Sequence, residues 1–124
     1  NLEEIKLLQK LKTGELFKFS CIAASILKKN QSIKIFTKYS DYLGLAFQIK
    51  DDLLDIEGDE KQIGKKINKD TNRGKETFIS TLGSADAKKK CLILIDKAKK
   101  LLQPFGNKAS RLILITDYII SRNK

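Results

Sequence analysis

Residues 47–59 read FQIKDDLLDIEGD, and this stretch decides how the chain is understood. It closes a run over residues 33–56 in which Phe36, Leu43, Ala46, Phe47, Ile49, Leu53 and Leu54 recur at helical steps. Those residues cover more than one face, so the spacing predicts a long helix at the centre of an all-α fold. On that helix Asp51, Asp52 and Asp55 fall together. At about 100° per residue, with Gln48 at zero, they lie near −60°, +40° and −20°. Gly44 lies on the same arc one turn earlier, where a missing side chain leaves room for a close approach.

A solvated acidic face is the ordinary meaning of such a string. A solvated face pairs its acids with Lys or Arg three or four positions away, and Lys50 points to the opposite side. Asp51 and Asp55 form a like-charge i, i+4 pair, which costs about a few tenths of a kcal/mol. The stripe is therefore expected to face an enclosed polar space that takes a cation. Mg²⁺ suits it, because it prefers oxygen ligands and is held by one or two carboxylates plus substrate phosphates. An EF-hand is excluded, since the acids sit on a helix at the wrong spacing.

The remainder is basic, with 25 Lys+Arg against 15 Asp+Glu and a net charge of +10. That excess asks for an anionic partner: nucleic acid, acidic lipid or a phosphorylated small molecule. A chain of 124 residues with 41% apolar and 32% charged residues fits one helical domain with a modest core. The other helices are expected over 2–12, 15–29, 77–82, 85–103 and 108–121. Their inward stripes are Leu2, Ile5, Leu8 and Leu11; then Leu16, Phe19, Ala23, Ile26 and Leu27; then Leu92, Ile95, Ala98, Leu101 and Leu102; then Leu112, Ile115 and Ile119. Thr13-Gly14 reads as a break. Ser32 and Ser84 are candidate caps, and Pro104 to Asn107 is expected to turn. Gly58 to Glu76, rich in glycine and lysine, reads as a long loop of the kind that is functional or disordered. Cys21 and Cys91 sit in apolar runs and read as buried free thiols in a reducing cytoplasm, and two cysteines without histidine leave no zinc set. No apolar run approaches the ~20 residues of a membrane span.

The stretch GLAFQIKDDLLDIEGD resembles the second aspartate-rich motif of the trans-isoprenyl diphosphate synthases, F-Q-x-x-D-D-x-x-D followed by G-D. Further matches fall in order: Lys12-Thr13-Gly14, Gly64-Lys65, then Asp70, Lys75 and Thr77. The ending DYIISRNK, Asp117 to Lys124, is similar to the tail of bacterial farnesyl diphosphate synthases. The family's first aspartate-rich motif and its upstream basic motif have no match here. With Asn1 in first place, the sequence is expected to be the C-terminal portion of a longer chain.

The resemblance implies the C-terminal part of an isoprenoid-synthase helical bundle. It also implies Mg²⁺-dependent condensation of an allylic diphosphate with isopentenyl diphosphate. Asp51 would be the principal metal ligand, with Asp52 and Asp55 supporting it. Lys12 and Lys65 would contact the allylic diphosphate, Thr13 and Gln48 would line the same pocket, and Lys75 would add a weaker contact. Arg122 and Lys124 would belong to the segment that closes over the second substrate. A homodimer, or association with the N-terminal part, would cover the apolar faces of the first and central helices, which are expected to be too large for this chain to bury alone.

Each residue also has a plainer reading. Lys12 could be a surface lysine, Thr13 a helix cap, Gln48 a hydrogen bond to a neighbouring helix, and Lys65 to Lys75 a solvated linker. Two other functions stay open. One is a helical fragment without turnover, and the isolated chain is expected to be inactive. The other is a basic nucleic-acid-binding domain, which gives the aspartates no role.

Overall fold

The long helix is the hub of the molecule. A computed structural model describes residues 2–27, 32–63 and 78–123, all helical apart from short joints. Helix α1 (Leu2–Gln9) passes through a π-helical turn (Lys10–Gly14) into α2 (Glu15–Leu27). Then come α3 (Ile33–Ile63), the short α4 (Phe78–Leu82), α5 (Ser84–Leu102), a 3₁₀ stretch (Gln103–Ala109) and α6 (Ser110–Ser121). No strand occurs among the described residues.

α3 packs on α1, α2, α4, α5 and α6, most extensively on α5. Its Tyr39, Leu43, Ala46, Ile49 and Leu53 are buried at helical steps. They meet Ala87, Cys91, Leu94, Ile95, Ala98 and Leu102 of α5. Each large side chain buried this way contributes about 1.5–3 kcal/mol. Phe78 of α4, Ile119 of α6 and Ile5 of α1 are also buried in this core. Tyr39 shows how α6 is fixed. Its ring is fully buried, and its hydroxyl lies 2.8 Å from Thr116 Oγ1 and donates to the Leu112 carbonyl at 3.2 Å. A buried phenol needs such partners to offset its lost hydration. Lys99 bonds Asp117 at 2.8 Å across the α5–α6 junction.

Several expectations are corrected. α3 runs on to Ile63, through Gly58, and the rest of the expected loop lies outside the described residues. Gly83, not Ser84, occupies the cap of α5, with φ 81° and no side-chain cap. Its amide closes α4 on the Ile79 carbonyl at 2.8 Å, and its own carbonyl starts α5 by accepting Ala87 N at 3.0 Å. One residue serves both helices, and its left-handed backbone suits glycine alone. Pro104 to Asn107 lies in 3₁₀ structure broken at Gly106 (φ 52°) rather than in a simple turn.

The inward stripe expected for α2 faces out. Leu16 and Phe19 are each 68% exposed and Leu27 85%, and Leu8, Leu11, Ile26, Leu92 and Ile115 are exposed too. Periodicity marks an apolar face correctly but cannot supply the surface that covers it. Exposed apolar surface lies on α1, as expected, and on α2. The central helix, also expected to hold a face too large to bury, instead buries Leu43, Ala46, Ile49 and Leu53 and exposes no large apolar side chain among the described residues. Among the described residues no helix is long and apolar enough to cross a membrane. Cys91 is buried and Cys21 half-buried; both are free, and burial raises both thiol pKa values.

Candidate active site

The site begins where two glycines meet. Lys10–Gly14 does not break the helix as expected; it widens into a π turn. Such turns are uncommon and cluster at functional positions. Gly14 then lies against Gly44 of α3, where an added Cβ would stand 3.2 Å from Gly14 Cα. Backbones can approach this closely only without side chains between them. The approach that Gly44 permits is therefore made by this chain's own Lys12-Thr13-Gly14 turn. It sets Thr13 beside Gln48, whose Nε2 donates to Thr13 Oγ1 at 3.0 Å. Gln48 is 5% exposed, so this bond answers a polar group that would otherwise be buried unpaired. The plain reading of Gln48, a hydrogen bond to a neighbouring helix, is thus also true. The two readings are compatible.

One turn further along α3 come the aspartates. Asp55 is exposed, while Asp51 and Asp52 are partly buried. Lys50 lies on the other side of the helix, lining a small hollow with Leu53, Cys91 and Ile120. Asp52 accepts the Phe78 amide at 3.3 Å, which ties α4 to the site. Burial pushes the Asp52 carboxyl above its ordinary pKa. The Phe78 hydrogen bond and Lys12 oppose that rise, and the charges of Asp55 and Asp51 add to it. Lys12 itself is exposed, close enough for its charge to reach Asp52.

Asp51 is engaged by Arg122, which follows α6. The Arg122 guanidinium donates to the Asp51 carboxylate and, at 3.3 Å, to the Phe47 carbonyl. It also lies over the Phe47 ring, 4.0 Å from its centroid. Phe47 in turn packs on Phe17 of α2, centroids 5.3 Å apart. The resemblance placed Arg122 over the second substrate; here it rests on the leading metal-ligand candidate. Phe47 and the Phe78 amide have site roles that sequence reasoning did not assign. Phe47 was signalled by its place in FQ, ahead of the aspartates, whereas a backbone amide 26 positions from Asp52 leaves no signal in sequence. Lys65, Lys75 and Lys124, with Gly64, Asp70 and Thr77, lie outside the described residues.

The arrangement fits a hard divalent ion in its chemistry. Its donors are carboxylate oxygens on one arc, and Asp52 is half-buried among like charges that raise its proton affinity. The acids do not form a finished cage. Among the described residues no three His, Cys, Asp or Glu side chains converge closely enough to hold an ion unaided. A cavity of about 800 Å³, lined by Phe17, Cys21, Tyr39, Leu43, Lys108 and Leu112, lies apart from this chemistry. Tyr39 and Leu43 sit about 140–180° around α3 from Gln48.

Comparison with known proteins identifies the family. The family model described as polyprenyl synthetase matches residues 1–107. Geranylgeranyl diphosphate synthase of Cyanophora paradoxa is 37% identical over 124 residues, covering 98% of this chain and 41% of that protein. Farnesyl diphosphate synthase of Bacillus subtilis is 36% identical, covering 98% of this chain and 42% of that protein. The apo crystal structure of an FPP/GFPP synthase from Zymomonas mobilis superposes with a TM-score of 0.80 at 37% identity. That match covers 96% of this chain and 38% of that one, so the chain spans about two fifths of the length of these relatives. The family match over residues 1–107 and the shared helical fold agree: the chain belongs to the polyprenyl synthetase family.

Proposed function

We propose that this chain forms one wall of an isoprenyl diphosphate synthase active site, of farnesyl or geranylgeranyl type. The reaction joins an allylic diphosphate to isopentenyl diphosphate, releasing diphosphate and a proton. The observation that carries the proposal is the meeting of Thr13 and Gln48 at 3.0 Å beside the aspartate arc, with Lys12 on the same turn.

Asp51, Asp52 and Asp55 are the residues that would hold Mg²⁺. Bound there, Mg²⁺ supplies Lewis-acid stabilisation of the negative charge that builds on the departing diphosphate. The chain's own residues then have distinct tasks. Lys12, exposed at the mouth, attracts and orients the diphosphate by its charge. Lys65 and Lys75 add to that field. Gln48 commits its amide nitrogen to Thr13, so its carbonyl oxygen is the end of the amide dipole that would face a developing allylic cation. Thr13 spends an acceptor position on Gln48 and keeps its own proton to donate. A preorganised dipole of this kind needs no reorientation as charge appears. The basic end of the chain, with Arg122 and Lys124, serves the second diphosphate.

Isothermal titration with geranyl diphosphate tests this reading. Binding is expected in the presence of Mg²⁺, weaker by about tenfold or more without it, and similarly weakened in Asp51→Asn/Asp52→Asn. Equal binding with and without Mg²⁺, or by the double variant, overturns it. Adding isopentenyl diphosphate to the same mixture asks for turnover, and none is expected from the isolated chain. Salt-sensitive binding of duplex DNA, with no response to Mg²⁺ and diphosphate, would instead favour the nucleic-acid reading.

A further inference from the structure

We infer that Arg122 is the resident counter-cation of Asp51 in the metal-free protein. A divalent ion and Arg122 exclude one another at that carboxylate, so metal loading releases the end of the chain from α3. The inference rests on the reading that the aspartates hold a divalent ion.

Four observations converge on Arg122. Its side chain is only 10% exposed, although it stands one residue beyond the end of α6. Its guanidinium bonds both the Asp51 carboxylate and the Phe47 carbonyl, two partners one helical turn apart on α3. Its plane sits over the Phe47 ring, 4.0 Å from the centroid. Its Nε is buried with no hydrogen-bond partner. The first three hold the residue in place, and the fourth marks the place as imperfect. A guanidinium wholly satisfied by its surroundings would leave no buried N–H unmet.

Asp51 remains 38% exposed, so its carboxylate can still be reached from solvent. An ion arriving there meets a fixed positive charge on the same group. Two cations on one carboxylate repel at short range, and the divalent ion has the greater charge. Losing Asp51 removes Arg122's charged partner and leaves the Phe47 contacts, which a solvated arginine can exchange for water. Coupling of this kind is reciprocal: whatever factor the ion takes from the Arg122 contact, Arg122 takes from ion affinity. Arg122 is thus a positioning residue, acting on the metal site through Asp51. A static anchor, the plain alternative, would hold the end of the chain equally with and without metal.

Two measurements on the whole chain decide. Free Mn²⁺ is followed by electron paramagnetic resonance during titration of wild type, Arg122→Ala and Asp51→Asn. Arg122→Ala is expected to bind about fivefold to tenfold tighter than wild type, and Asp51→Asn to lose most binding. Separately, the Arg122 Nε–H signal of ¹⁵N-arginine-labelled wild type is followed during Mg²⁺ titration. Over an aromatic face it should begin displaced by the ring and move to the position of exposed arginines as the ion binds. If Arg122→Ala fails to fold, this signal decides alone. Equal Mn²⁺ affinity in wild type and Arg122→Ala, or an Arg122 signal unmoved at Mg²⁺ saturation, overturns the inference and leaves the metal site standing. Absence of Mn²⁺ binding in every protein overturns the metal site itself, and the inference with it.

Discussion

Asp52 concentrates the conflict between folding and function at a single carboxyl group. Burial and the neighbouring acids raise its pKa, while the Phe78 amide and Lys12 only partly compensate. The folded chain therefore holds this proton more tightly than the unfolded chain does. The stability it contributes is fully present below the unfolded-state pKa and is lost as pH rises through the raised folded pKa. At pH 7, without metal, ionised Asp52 is a net cost. Asp52→Asn keeps an oxygen for the Phe78 amide and removes the charge. It is expected to raise the thermal midpoint by a few degrees at pH 7, followed by circular dichroism. The gain should vanish in acid, where wild-type Asp52 is also neutral. A lower midpoint for the variant at pH 7 would mean that other groups already compensate the charge. The acids themselves were legible from spacing alone, because one helix carries all three. The partner of Asp51 was not, since Arg122 stands 71 positions away and only the return of α6 onto α3 brings it there.

At the scale of elements, the pairing of α2 with α3 turns on Gly14 and Gly44. Placing a side chain at Gly44 forces the two backbones apart, because a Cβ there already stands 3.2 Å from Gly14 Cα. Replacing glycine inside a helix gains up to about 1 kcal/mol of propensity. Overpacking costs about 1–3 kcal/mol, and a branched side chain lies at the upper end. Gly44→Val is therefore expected to lower the urea-unfolding free energy by about 1–2 kcal/mol. It should also weaken Mg²⁺-dependent diphosphate binding by moving Thr13 off Gln48. Unchanged stability with unchanged binding would show that the crossing has slack. The helices were readable because their apolar residues repeat at helical steps. In α5 most of that stripe is in the core, with Ile95, Ala98 and Leu102 buried. In α2 the same signal failed, since Leu16 and Phe19 repeat correctly yet find no covering surface among the described residues. The π turn was read as an interruption, because glycine after threonine signals a break and gives no hint of a helix that widens and continues.

Across the whole molecule, charge and apolar surface are distributed unevenly. The chain carries a +10 excess, while α3 holds an acidic arc on one side. The α3–α5 pair carries most of the core, and α1 joins it through Ile5, 4% exposed. The exposed leucines of α1 and the π turn, Leu7, Leu8 and Leu11, show how little of this arm the rest of the chain covers. The π turn at Lys10–Gly14 acts here as a phase shifter. One extra residue in a turn offsets everything upstream by about 100° and about 1.5 Å relative to an unbroken α-helix. Deleting Leu11, which is exposed, would return the arm to regular pitch and swing Ile5 away from α3. The deletion should cost about 1.5–3 kcal/mol of unfolding free energy, the worth of one buried isoleucine. Helical content by circular dichroism would stay nearly constant, and a stability equal to wild type would show that the arm tolerates either phase. The frame of α1 is thus set not by its own eight residues but by a single residue of slack next to the site, which couples the outermost helix to the position of Thr13.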